Sequence, residues 1–218
     1  MKKLLSRILS AVVAVLIVYG VRAAFDLVVV PRQIDKLAGT YVTEEQFDAA
    51  DVEELLTDYD FYPEEIALVD LDGLYINKYV QFTEDKTYTF YYDVDTFKAH
   101  VEDMFRDAFA DMYAGRSQLS AVYETDMAAM SEAEFQSFYA GLYNQATFED
   151  LISILTSDAY NYSAIAADTE VGTFTIDDGK ILCTINGTYT AESMGYELKD
   201  GKLTLHFSNK DEVYTLCY

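Results

Sequence analysis

The chain has 218 residues, room for one large domain or two small ones. It is 51% hydrophobic and sets 15 basic residues against 38 acidic ones, a net charge of −23, so it has the apolar content to fold and a surface that repels nucleic acid. Two Cys and two His exclude a disulfide-dense scaffold and leave little material for a transition-metal site.

The chain starts with Met1-Lys2-Lys3-Leu4-Leu5-Ser6-Arg7, followed by an uncharged run from Ile8 to Val21 and then Arg22. A basic head before an apolar run is the layout of a secretory signal or an N-terminal anchor. If Arg7 and Arg22 snorkel, Leu4 to Phe25 forms a helix of about 33 Å, enough to span a bilayer. The rival reading is a cleaved signal, with Val21 and Ala23 at the inspected positions and Ala24 as the new N-terminus. Lys2, Lys3 and Arg7 predict a cytoplasmic start, with the rest of the chain outside the cell. Residues 1–23 contain four basic residues and no acidic one, so the remainder has 11 basic against 38 acidic residues, a net of −27.

Residues 31–36 read as a short tether beginning at Pro31, and residues 37–42 as a strand. Phe47, Val52, Leu55 and Leu56 predict a helix over residues 44–59. Tyr75 to Tyr92 reads as a hairpin, its second arm alternating Thr87, Tyr88, Thr89 and Phe90 at period two.

The middle of the chain is helical. Phe97, Val101, Met104, Phe105, Ala108 and Met112 recur at steps of three and four and predict an amphipathic helix ending near Gly115. Ser131 to Glu134 is a capping box, Thr147 offers a similar start, and residues 118–130 are expected to be helical as well. From residue 170 onward short strands follow one another. Asp178-Gly179 and Asp200-Gly201 lie between alternating runs as tight hairpin turns, and Asn186-Gly187 repeats the pattern. Three strands before the helices and about five after them can close into a small antiparallel barrel.

Gly39-Thr40-Tyr41, Asp85 to Tyr88, Gly172-Thr173-Phe174 with Asp178-Gly179-Lys180, and Tyr196-x-Leu198-x-Asp200-Gly201-Lys202-Leu203 form a recurring pattern. In these motifs the chain resembles exported lipocalin-like proteins of unknown function from Gram-positive bacteria. It departs from them at Tyr41, where Trp is usual, at Lys86, where the turn has Gly, and in lacking the lipid-attachment Cys. The resemblance implies a calyx-like barrel outside the cytoplasm and brings no catalytic residue with it.

Residues that bear chemistry are few. His100, among Lys98, Glu102 and Asp103, and His206, between Leu205 and Phe207, both read as solvent-facing. Asp70-Leu71-Asp72-Gly73 has the composition of a calcium loop but the wrong spacing, and Asp93-x-Asp95 reads as a helix start. Cys183 and Cys217 fit either a disulfide or two reduced thiols. Nineteen Tyr and 13 Phe remain; Tyr113, Tyr123, Phe135, Tyr139, Tyr143, Tyr160 and Tyr162 crowd the helical segment, mostly as core, the rest lining a groove for sugars, peptides or a partner's helix.

The sequence thus predicts an α+β protein. Residues 1–30 are a signal anchor or signal peptide, and residues 37–218 a lipocalin-like antiparallel barrel interrupted by a helical insert at 94–165. No catalytic, cofactor-binding or metal-ligating residue is assigned, and no cofactor. The expected role is a membrane-anchored extracytoplasmic module, non-catalytic, for an apolar or cell-wall-derived ligand. The alternatives are a protein-partner subunit of a membrane complex and a hydrolase using carboxylates.

Overall fold

The computed structural model describes residues 21–22, 28–186, 188 and 191–217. The expected membrane span lies outside these residues apart from Val21 and Arg22, and no described helix is long and apolar enough to cross a membrane. The chain forms two compact units, one of residues up to Thr43, Tyr79–Phe90 and Glu170 onward, the other of Glu44–Lys78 and Tyr91–Thr169.

Eight strands close a barrel in chain order, held by the first unit except for residues 44–46, 75–78 and 91–92 at the strand ends, which fall in the second. They are β1 (Gly39–Gln46), β2 (Tyr75–Phe82), β3 (Thr87–Tyr92), β4 (Glu170–Asp177), β5 (Lys180–Ile185), β6 (Ala191–Lys199), β7 (Lys202–His206) and β8 (Asp211–Leu216). Tyr88 pairs with Gly172 across β3 and β4, and Tyr41 with Leu216 where β1 meets β8, so no edge is left for another chain to extend. The two Asp-Gly turns form as expected: Asp177 pairs with Lys180 and Lys199 with Lys202. Both central residues of each turn have positive φ, at 50° and 71° and at 52° and 75°. Lys86 takes the same left-handed conformation, φ 64°, which glycine adopts more readily than lysine.

The barrel is filled by its own side chains. Tyr41, Phe82, Tyr88, Ile181, Leu203 and Tyr214 are at most 1% exposed, and Phe82 meets Phe174 edge to face at 5.0 Å. Into the same cluster goes helix α1 (Val30–Leu37), with Val30, Ile34 and Leu37 buried and the Tyr41 hydroxyl donating to the Leu37 carbonyl at 3.0 Å. This corrects the expected tether at 31–36. Pro31 falls in the first turn, where its missing N–H costs nothing and its fixed φ suits a helix, and the steps 30, 34, 37 place three apolar side chains on one face.

The second unit is helical, with its own core around Phe97, Val101, Phe105, Phe135 and Leu155. Its helices are α2 (Ala49–Asp58), α3 (Pro63–Ile66), α4 (Val94–Ala114), α5 (Glu132–Leu142), α6 (Phe148–Ala159) and α7 (Tyr162–Ala167). Asp93, Ser131 and Thr147 cap α4, α5 and α6 through their side chains, as their positions predict.

Two expectations shift. The helix expected over 44–59 begins only at Ala49, because β1 runs on to Gln46 and the Asp48–Asp51 capping box sets the start. Residues 118–130 form two 3-10 turns, Arg116–Ser120 and Met127–Ala129, separated by Glu124 at φ 48°. Arg116 holds this stretch in place, donating to the Met130 and Tyr113 carbonyls at 3.1 and 2.9 Å.

Candidate functional site

At the C-terminal end of β1 the chain leaves Phe47 half-buried, its ring stacked on Phe97 at 5.4 Å and 7° between planes. Tyr160, just beyond α6, lies 5.7 Å from Phe47 and 5.0 Å from Phe97. These rings border a cleft of about 390 Å³ lined also by Ile76, Tyr92, Ile165, Gln46 and the carboxylates of Glu45, Asp51 and Asp168. A second hollow of about 310 Å³ shares Phe47, Asp51 and Tyr160 with it and adds Glu54, Leu55, Asp58 and Ala159. All of these residues belong to the second unit, Glu45, Gln46, Ile76 and Tyr92 at the ends of β1, β2 and β3.

Local sequence explains the arrangement. Asp51, Glu54 and Asp58 follow at steps of three and four, which places them along one face of α2. Asp51 is also held by the cap, its carboxylate accepting the Asp48 N–H at 3.2 Å. Across the cleft Glu45 accepts the Tyr92 hydroxyl at 3.3 Å. Burial, and after it the charge of Asp51, push the Tyr160 hydroxyl up to about 12, so it enters the cleft as a neutral donor. None of these five carboxylates has an ion pair with a described Lys, Arg or His; Arg106 is committed to Glu102 and Glu149 at 2.8 and 2.6 Å.

Elsewhere in the helical unit a carboxyl group is buried. Glu65 in α3 is 1% exposed, one carboxylate oxygen receiving the Tyr123 hydroxyl at 2.7 Å and the Tyr139 hydroxyl, the other the Tyr62 N–H at 2.7 Å. Burial first, and then Glu65, hold both tyrosines protonated well above their ordinary range. The sequence reading missed Glu65; its only signal was a Glu closing the first turn after Pro63.

The histidines and cysteines are placed as follows. His206 is exposed, with Nδ1 2.9 Å from an Asp211 oxygen. His100 is half-buried and not simply solvated: its ring lies 4.2 Å from that of Tyr75 and its Nδ1 3.2 Å from the Tyr75 carbonyl oxygen. It lines a hollow of about 270 Å³ with Asp70, Asp72, Asp103 and Asp107. Asp70 and Asp72 form a local turn there, the Asp72 N–H donating to Asp70 at 3.1 Å, and no group among the described residues is arranged to hold a metal ion. Cys183 is buried in the barrel and Cys217 exposed, both as free thiols. Of the seven aromatics expected in the helical segment, Phe135 and Tyr139 are core, while Tyr160 lines the cleft. Comparison with protein-family models, with curated proteins and with solved structures finds no match.

Proposed function

We propose that the chain is a non-catalytic binding module held at the outer face of a cell membrane by its N-terminal segment, with its ligand site in the helical unit. The basic head and apolar run of residues 2–21 support the placement. The closed antiparallel barrel in chain order supports a lipocalin-like assignment. An apolar ligand in the lumen is disfavoured, since Tyr41, Phe82, Phe174, Tyr214 and helix α1 take up that space. The observation that carries the reading is the cleft beside Phe47 and Tyr160, with aromatic walls and carboxylates that pair with no described Lys, Arg or His. A binding site needs those parts: flat apolar area for affinity and a few polar groups for orientation.

The filled barrel also favours the second reading, a structural role toward a protein partner, because a packed barrel is a rigid body and not a container. Native mass spectrometry of the full chain with a panel of wall fragments, lipids and soluble metabolites, followed by hydrogen exchange, separates the readings. A ligand that protects α2 and residues 156–168 is the expected result. Protection confined to the barrel strands, or turnover of the ligand, overturns the proposal.

A further inference from the structure

The cleft has a polarity and a length, and both constrain what it takes. Its two hollows share Phe47, Asp51 and Tyr160 in their linings. Besides these shared residues one hollow is lined by Glu45 and Asp168, and the other by Glu54 and Asp58. Negative charge therefore lies on both sides of an aromatic waist. On α2 the carboxylates from Asp51 to Asp58 span about 10 Å at the helical rise of about 1.5 Å per residue. Resting on the binding reading above, we infer that this groove takes a linear di- or polyamine, its methylenes against Phe47 and Tyr160 and its ammonium groups against the carboxylates at either end.

The chemistry fits at each point. An ammonium group pairs with carboxylates and is attracted to aromatic faces within about 6 Å, whereas an anionic or neutral apolar ligand gains nothing from five carboxylates. The Tyr160 hydroxyl has no hydrogen bond to another described residue, and burial together with Asp51 keeps it neutral, so it offers one polar contact on the wall that the two hollows share. A compact inorganic cation matches the charge but leaves the waist unused. The carboxylates are exposed and flank an open cleft, so the ammonium groups keep part of their hydration. That is the setting for exchangeable binding.

The test is calorimetric titration of the full chain in non-ionic detergent with spermidine, at about 0.15 M salt so that diffuse attraction to a net charge of −23 is screened. Saturable one-to-one binding is expected, retained in the presence of magnesium and absent for a neutral diol of matched length. The pair Glu54→Gln and Asp58→Asn should weaken it at least 10-fold, Asp168→Asn should weaken it from the other hollow and Tyr160→Phe from the shared wall, while Glu197→Gln on the barrel leaves it unchanged. Equal displacement by magnesium, equal loss with Glu197→Gln, or no saturation overturns the inference. If spermidine fails while another ligand still protects α2 and residues 156–168, the ligand class is wrong and the binding reading stands. If ligands protect only the barrel, both fall.

Discussion

The Tyr88 ring occupies the space where residue 172 would carry a side chain. Gly172 pairs directly with Tyr88, and a Cβ built on it would lie 2.6 Å from the Tyr88 ring and 2.2 Å from the Thr184 carbonyl oxygen. The ring is held over this spot by its hydroxyl, which donates to Glu170 at 2.6 Å. Gly172→Ala therefore forces β3, β4 and β5 apart, and a loss of about 1–3 kcal/mol is expected in urea unfolding. A stability equal to that of the parent would mean that the ring does not lie there.

Helix α1 belongs to the barrel core. Ile34 is 2% exposed and Leu37 fully buried, so Leu37→Ala should cost about 2–5 kcal/mol and lower the Tm by roughly 5–15 °C. A chain starting after Leu37 should fold poorly despite retaining all eight strands. Thermal unfolding followed by circular dichroism checks both.

Glu65 is a structural hub. Glu65→Ala leaves two tyrosine hydroxyls and the Tyr62 N–H without their partner, a loss of about 3 kcal/mol or more. Glu65→Gln retains an acceptor oxygen and should lose less. Urea midpoints rank the two, and the reverse order would contradict the geometry.

The two cysteines should differ sharply. Burial, with the charges of Glu170 and Glu192, pushes the Cys183 thiol up to about 12. Its neutral form is favoured by folding, so that contribution is complete below the unfolded value of about 8.5 and is lost as pH rises from there toward 12. Alkylation of the native protein at mild alkaline pH should label Cys217 alone, and both thiols after denaturation. Native labelling of both would contradict the burial of Cys183.

The parts of the fold that depend on local chemistry could be read from the sequence. Asp178-Gly179 and Asp200-Gly201 are both hairpins, and alternation in β4 puts Gly172, Phe174 and Ile176 inside. The repeated Gly-Thr-aromatic phrase also finds a reason: Gly39 and Gly172 leave room for Leu216 and Tyr88, while Tyr41 and Phe174, two residues on, are buried in the barrel. The parts that depend on distant neighbours were not legible. Pro31 reads as a break unless Ile34 and Leu37 have a barrel to enter. The cleft combines Glu45 and Asp51 with the distant Tyr92 and Asp168, from three separate stretches that no spacing in the sequence links.

Barrel closure joins Tyr41 to Leu216, almost the full length of the chain. During synthesis, the first three strands must therefore wait for the last five, with Val80, Phe82 and Tyr88 uncovered for most of that interval. The helical unit is complete by Thr169 and is free to fold earlier. Point changes in β7 or β8 should therefore reduce its yield in cells more than they reduce the stability of molecules that have already matured.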